Sequence, residues 1–284
     1  MKNKLKNIEE LQSPLSPDSY RGEGVGGEVN KLDILFTSNK NNILNMYCTA
    51  GYPRLDSTET VMLALQENGA DIIELGIPYS DPIADGPVIQ QSNMQALANG
   101  ISIKKIFSQL QNLKERLHLP VILMGYLNPV MQYGIENFCR DAADAGVSGI
   151  ILPDLPMYEF EHFYKTLFEK YGLHCIFLIS PQTSAERIKK ADQLSRGFLY
   201  AVSSSATTGK QTDFAAQESY FKKIKKMKLK NPVLIGFGIK DKETFDMACS
   251  YAAGAIIGSA YIKALENAED LAGSTARFIQ NIRS

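Results

Sequence analysis

The fold class that this sequence predicts is an α/β barrel, (β/α)8, of the TIM-barrel class, and three observations predict it. Short apolar runs alternate with helical segments along most of the chain, the pattern of a parallel sheet covered by helices. The tally is eight strands in about 240 residues, close to the roughly 250 of such barrels as single units. No Gly-x-Gly-x-x-Gly turn follows an early strand, as an open sheet binding a dinucleotide would require.

Composition bounds the rest. A hydrophobic content of 44% with 21% charged residues is ordinary for a soluble globular protein with an ample core. The net charge of -1 leaves no footprint for nucleic acid. No apolar stretch approaches the roughly 20 residues of a membrane span, and the N-terminus lacks the apolar core of a secretory signal. A cytoplasmic enzyme or binding protein is expected. Cys48, Cys139, Cys175 and Cys249 are far apart, without a C-x-x-C pair, and read as reduced core residues. His118, His162 and His174 are equally scattered, so they read as structural and no metal is expected.

Residues 1–28 combine Ser-Pro-Leu-Ser-Pro with a glycine-rich run and show no period, which predicts a disordered extension ahead of a catalytic barrel over 29–284. A helix over Glu28 to Thr37 leads to the first strand, Ile43 to Thr49, and a loop at Ala50 to Pro53. Asp56 with Glu59 predicts a capping box for the helix through Val61, Met62 and Leu65, which Asn68-Gly69 ends. The second strand follows, running from Ile72 through Glu74 into Gly76. Helices through Met94 to Ala98 and Ile103 to Leu117 lead to the third strand, Val121 to Gly125, and a loop at Asn128-Pro129.

The helix Ile135 to Ala145 stops at Gly146 before the fourth strand, Gly149 to Leu152, and the loop Pro153 to Pro156. A helix over Glu159 to Tyr171 ends at Gly172, and His174 to Ile179 is the fifth strand. Thr183 to Leu194 is a helix, Gly197 to Val202 the sixth strand, and Ser203 to about Phe214 a polar loop. A lysine-rich helix, Glu218 to Leu229, precedes the seventh strand, Pro232 to Ile235. The helix Lys242 to Tyr251, the eighth strand Gly254 to Ile257, and a closing helix containing Ser274 to Ile282 complete the chain.

Chemistry concentrates in DIIELGIPYSDPIADGP, residues 71–87. Glu74 sits inside an apolar strand, where burial of an unpaired carboxylate is so unfavourable that its pKa rises, making a proton donor at neutral pH. Asp85 lies in a proline-stiffened loop, wetter and more readily ionised. Two carboxyls in contrasting surroundings point to one acid and one base. Each alone has a plainer reading, an edge-strand or ion-paired Glu and an Asp in a turn.

Barrel sites lie at the C-terminal ends of the strands. After the seventh strand comes Gly236-Phe237-Gly238-Ile239, and after the eighth Gly258-Ser259-Ala260. Glycines there let backbone N–H groups approach an anion, Ser259 adds a hydroxyl, and together they point to a phosphate monoester. Ser203 to Lys210 resembles a P-loop only superficially, because Ser204 and Gln211 replace the required residues, so a mobile lid or a plain flexible loop is expected. The lysines from Lys222 to Lys230 read as a solvated helix face.

ELGIPYSDPIADGPVIQ, with TAGYP, ILPDLP, SATTG, GFGI and IIGSA in this order, resembles the tryptophan synthase alpha subunit family over roughly residues 30–284. The first run is highly specific, whereas GFGI and GSA occur in many phosphate-binding barrels. The resemblance implies a lyase of tryptophan biosynthesis that cleaves indole-3-glycerol phosphate to indole and glyceraldehyde 3-phosphate. It implies Glu74 as the acid-base residue that protonates the ring carbon and Asp85 as the carboxylate accepting the indole N–H. It implies Gly209, Gly238, Gly258 and Ser259 at the phosphate, Tyr200 and Phe237 beside it, Tyr47 flanking the indole, and Thr208 in the lid.

The resemblance further implies an alpha2-beta2 heterotetramer, docked through loops holding Pro78, Asp81, Pro82, Asn128, Pro129 and Pro156. This chain would carry no cofactor, the pyridoxal phosphate belonging to the beta subunit. Two departures stand out: residues 1–28 have no counterpart, and the lid has Ala206 where many members have glycine. Competing expectations are another phosphate-binding barrel lyase or isomerase, and a ligand-binding activator of a partner enzyme without catalysis. Of the first kind, an indole-glycerol-phosphate synthase would need a catalytic lysine inside a strand and a pentose-phosphate epimerase metal-binding histidines at strand ends, and neither is visible.

Overall fold

A computed structural model of the chain describes residues 29–38, 41–202, 214–236 and 238–284, the side chains of 214–217 excepted. The predicted extension 1–28 and the lid lie outside those residues. Nine parallel strands form one sheet: β1 (Ile43–Thr49), β2 (Ile72–Gly76), β3 (Val121–Met124), β4 (Val147–Ile151), β5 (His174–Cys175), β6 (Leu178–Ile179), β7 (Leu199–Val202), β8 (Val233–Gly236) and β9 (Gly254–Ile257). Their order is β5-β4-β3-β2-β1-β9-β8-β7-β6. The ninth strand corrects the expected count, since the predicted strand His174 to Ile179 is divided.

That division is what joins the two ends of the sheet. β5 pairs with β4 and β6 with β7, while Ile176 N–H donates to Ile150 O and Tyr200 N–H donates to Phe177 O. The Phe177 N–H turns away to the Ser195 hydroxyl at 3.1 Å. One short segment thus changes neighbour midway and closes the barrel.

Nearly every residue of β1 to β4 is buried, as expected for strands covered on both faces. The helix Ile103–Leu113 shows how the outer layer forms. Ile106, Phe107, Leu110 and Leu113 face the sheet at helical spacing, and Ser102 caps the first turn by accepting from Lys105 N–H.

Several local expectations need correction. Asp56 makes no capping bond, and Glu59 pairs with Arg116 instead. Asn128-Pro129 is not a loop but the start of a helix, Leu127–Tyr133, where Pro129 fits the first turn because its missing N–H would have no intrahelical partner anyway. The helix expected from Met94 begins at Pro87, again with proline in the first turn. The helix expected over Glu159 to Tyr171 contains a π turn at Phe160–Tyr164 between short α segments.

At the N-terminal end of the strands, His174 Nε2 bonds Asp33 Oδ1 at 2.8 Å, both largely buried, which makes this histidine structural. Arg283 there donates to Asp71 Oδ2, Asn42 O and Gly69 O. Among the described residues no helix is long and apolar enough to cross a membrane, and no group of three or more His, Cys, Asp or Glu could hold a metal ion. Cys48, Cys139, Cys175 and Cys249 are all free thiols.

Candidate active site

Side chains alternate along a strand, so Asn45, Tyr47 and Thr49 share one face of β1, and Ile72, Glu74 and Gly76 one face of β2. The register sets Tyr47 directly opposite Glu74. Glu74 is 1% exposed, and Asn45 Nδ2 donates to its Oε2 at 2.9 Å. Burial pushes the Glu74 carboxyl up to about 8; the Asn45 bond pulls it down and the Asp85 charge pushes it up further. Glu74 is therefore mainly protonated at neutral pH.

Asp85 reaches the same cavity from the loop after β2. The loop is held by Asp85 N–H to Pro82 O at 3.1 Å and by Gln90 Nε2 to Asp85 O at 3.0 Å. Desolvation pushes its carboxyl up to about 6, opposed by bonds from the Tyr126 hydroxyl and the Asn93 amide. Asp85, expected to be wetter and readily ionised, is raised by desolvation as well, though it is less buried than Glu74 and raised to a lower value.

The two carboxyls line a cavity of about 310 Å³ at the C-terminal end of the barrel. Tyr47, Met124, Tyr200, Gly238, Gly258 and Ser259 line the same cavity, and a Cβ on Gly258 would lie 3.6 Å from the Tyr47 Cβ. Seven predicted site residues are thus brought together. Thr208, Gly209 and Phe237 lie outside the described residues. The six predicted docking residues do not line the cavity: Asp81, Asn128 and Pro156 are exposed, Pro129 is half-buried, and Pro78 and Pro82 are buried within this chain.

Glycine makes room for both tyrosines. A Cβ on Gly76 would collide with the Tyr47 ring and hydroxyl, and one on Gly236 with those of Tyr200. Burial raises both phenols well above their ordinary value, so both hydroxyls remain protonated.

Sequence reasoning missed several residues here. Asn45 was legible as the one amide in an apolar strand, two residues from Tyr47 and so on its face. Tyr126 follows β3 by two positions, where barrel sites lie. Asn93 is buried on the helix after Asp85 and donates to its Oδ2 at 3.5 Å. Lys240 and Lys263 also line the cavity, Lys263 one helical turn beyond Ser259, and the Lys240 charge helps to lower the neighbouring Asp241 carboxyl. With two carboxyls, two ammonium groups and glycine backbone on one lining, the arrangement can both move a proton and hold an anion.

Comparison with known proteins is consistent with that arrangement. Residues 35–283 match the family model described as tryptophan synthase alpha chain. The tryptophan synthase alpha chain of Bacteroides thetaiotaomicron is 49% identical over 243 residues, covering 85% of this chain and 95% of the relative. That of Flavobacterium johnsoniae is 51% identical over 242 residues, with the same two coverages. The crystal structure of tryptophan synthase subunit alpha from Legionella pneumophila superposes with a TM-score of 0.82 at 36% identity, covering 90% of this chain and 98% of that one. The aminoacrylate-bound tryptophan synthase of M. tuberculosis gives a TM-score of 0.78 at 32% identity, covering 90% and 100%.

Proposed function

The chain belongs to the tryptophan synthase alpha chain family, and we propose that Glu74 and Asp85 carry out its lyase half-reaction, the cleavage of indole-3-glycerol phosphate to indole and glyceraldehyde 3-phosphate. One observation carries this assignment: a fully buried carboxyl, Glu74, and a half-buried one, Asp85, face one cavity, burial pushing the first up to about 8 and the second to about 6. The proton count then closes without a redox step. Glu74 gives its proton to the ring carbon that bears the glycerol chain, and the ring becomes a cation with charge on nitrogen. Asp85 accepts the ring N–H and stabilises that charge.

Glu74, now a carboxylate, takes the proton of the neighbouring glycerol hydroxyl. The hydroxyl carbon becomes an aldehyde, the carbon-carbon bond breaks, and its electron pair restores the aromatic ring. Glu74 ends protonated, as it began. Since each step is a proton transfer or the bond cleavage it drives, and none is an oxidation or reduction, this chain needs no cofactor of its own, and the pyridoxal phosphate belongs to the partner. Gly238, Gly258 and Ser259, which line the cavity, are assigned to the phosphate, and the family resemblance adds Gly209. Tyr47 is assigned to flank the indole and Tyr200 to the pocket beside the phosphate, and the resemblance adds Phe237 to that pocket and Thr208 to a lid.

The partner is the tryptophan synthase beta subunit, in an alpha2-beta2 assembly. The docking residues predicted on the loops after β2, β3 and β4 have apolar neighbours that are unusually exposed. Ile83 is 81%, Met131 56% and Tyr158 63% exposed, each on a segment following one of those strands. Apolar side chains gathered on one rim are what a protein interface covers.

Indole release from indole-3-glycerol phosphate, by the chain alone and with the beta subunit, tests the proposal. Glu74→Gln and Asp85→Asn should each lower turnover by roughly 10² to 10⁴. Unchanged turnover in either variant would remove that residue from the mechanism.

A further inference from the structure

Asn45 has no place in the mechanism so far. It does not line the cavity, yet it is 0% exposed and is bonded to Glu74, one of the two carboxyls on which the chemistry depends. The register puts it opposite Ile72, one layer nearer the N-terminal end of the barrel than the Tyr47 and Glu74 pair. On its other side it stands opposite Ile256 of β9. The amide therefore touches Glu74 from the side away from the substrate space.

The two oxygens of Glu74 are not equivalent as a result. Oε2 accepts from Asn45 Nδ2 at 2.9 Å, while Oε1 is buried without a hydrogen-bond partner. A protonated carboxyl has one hydroxyl oxygen and one carbonyl oxygen, and an amide N–H prefers the carbonyl as acceptor. With Oε2 occupied in that way, the acid proton is seated on Oε1. We propose that Asn45 is a positioning residue: by donating to Oε2 it places the transferable proton of Glu74 on Oε1 and steadies the carboxylate left behind once that proton has moved.

The inference rests on Glu74 being the acid. The opposite amide orientation would point Oδ1 at Glu74 and hold the proton on Oε2, away from substrate, so the donor orientation is the productive one. The other titratable groups acting on Glu74 are Tyr47 and Cys48 on β1, Tyr200 on β7 and Asp85 on the following loop, with Lys240 and Lys263 further along the cavity. Burial keeps Tyr47, Cys48 and Tyr200 protonated, Cys48 being pushed up to about 12, so Asp85 is the charged neighbour that acts directly on Glu74. Removing the Asn45 donor leaves that charge unopposed.

The test compares wild type, Asn45→Leu, Asn45→Ser and Glu74→Gln, each as the full chain with the beta subunit, by pH profiles of indole release. Both Asn45 variants should lose about tenfold in kcat, with KM within about twofold of wild type. The alkaline limb of their profile, where Glu74 gives up its proton, should move upward by half a pH unit or more. ¹³C NMR titration of the Glu74 carboxyl should show the same shift, and Asn45→Ser keeps the reading open if the leucine does not pack.

An alkaline limb that stays in place, whether or not kcat falls, would overturn the positioning role while leaving Glu74 as the acid. Full activity in Glu74→Gln would instead overturn the mechanism on which the inference depends.

Discussion

Tyr126 ties Asp85 to the end of β3. Its hydroxyl accepts from Ala84 N–H at 3.0 Å and donates to the Asp85 carboxylate, so one oxygen braces both the loop backbone and the charge. Tyr126→Phe removes both bonds and leaves the loop to move. We expect kcat/KM to fall about tenfold or more, because a misplaced catalytic group loses most of its advantage. The acidic limb of the pH profile should shift upward, since the lost bond is one that lowers the Asp85 carboxyl.

The two carboxyls together predict a bell-shaped profile. Activity should fall below about pH 6 as Asp85 takes up a proton, and above about pH 8 as Glu74 loses its own. The kcat/KM profile of the unliganded enzyme reports both limbs. Glu74→Gln should leave little activity from which a profile could be drawn.

Burial of Glu74 also carries a stability cost with a definite sign. Its folded value of about 8 lies above the ordinary 4.5, so its favourable contribution is complete only below about pH 4.5 and is lost as pH rises through 8. Glu74→Gln should therefore raise Tm little at pH 5 and clearly at pH 8.5. At about 1.4 kcal/mol per unit, the gain at high pH is on the order of a few kcal/mol. Thermal unfolding of both proteins at the two pH values measures it.

Gly236→Ala sets a methyl against the Tyr200 ring, and overpacking of this kind costs roughly 1–3 kcal/mol. Shortening the tyrosine should relieve it. A double-mutant cycle with Tyr200→Leu, read by denaturant unfolding, should show a smaller penalty for the alanine than in the wild type.

Ile83→Asp should weaken association with the beta subunit by tenfold or more while leaving the unfolding of the isolated chain unchanged, because Ile83 is 81% exposed. Titration calorimetry of the two subunits decides it.

Alternation of apolar runs with helices was sufficient to read the barrel, whereas Glu74 alone also read as an edge-strand or ion-paired residue and stood out only together with Asp85 and the proline-stiffened loop. The split between β5 and β6 was not legible, because Phe177 turns its N–H to Ser195, a contact across 18 residues that no local pattern encodes. Asp56 and Glu59 have the spacing of a capping box, but the neighbouring Arg116 captures Glu59. The carboxyls and Asn45, the one amide of its strand, were legible from their own surroundings, whereas Asn93 and Tyr126 acquire meaning only once β3 and the loop after β2 meet. Lys240 and Lys263 likewise become neighbours only when the ends of β8 and β9 are set side by side.

The cavity lining carries charges of both signs, Asp85 on the one hand and Lys240 and Lys263 on the other. A molecule with a phosphate at one end and an uncharged ring at the other is not indifferent to which way round it lies, because its anionic head is favoured beside an ammonium group and disfavoured beside the Asp85 carboxylate. Charge thus adds to shape in setting how a ligand is turned.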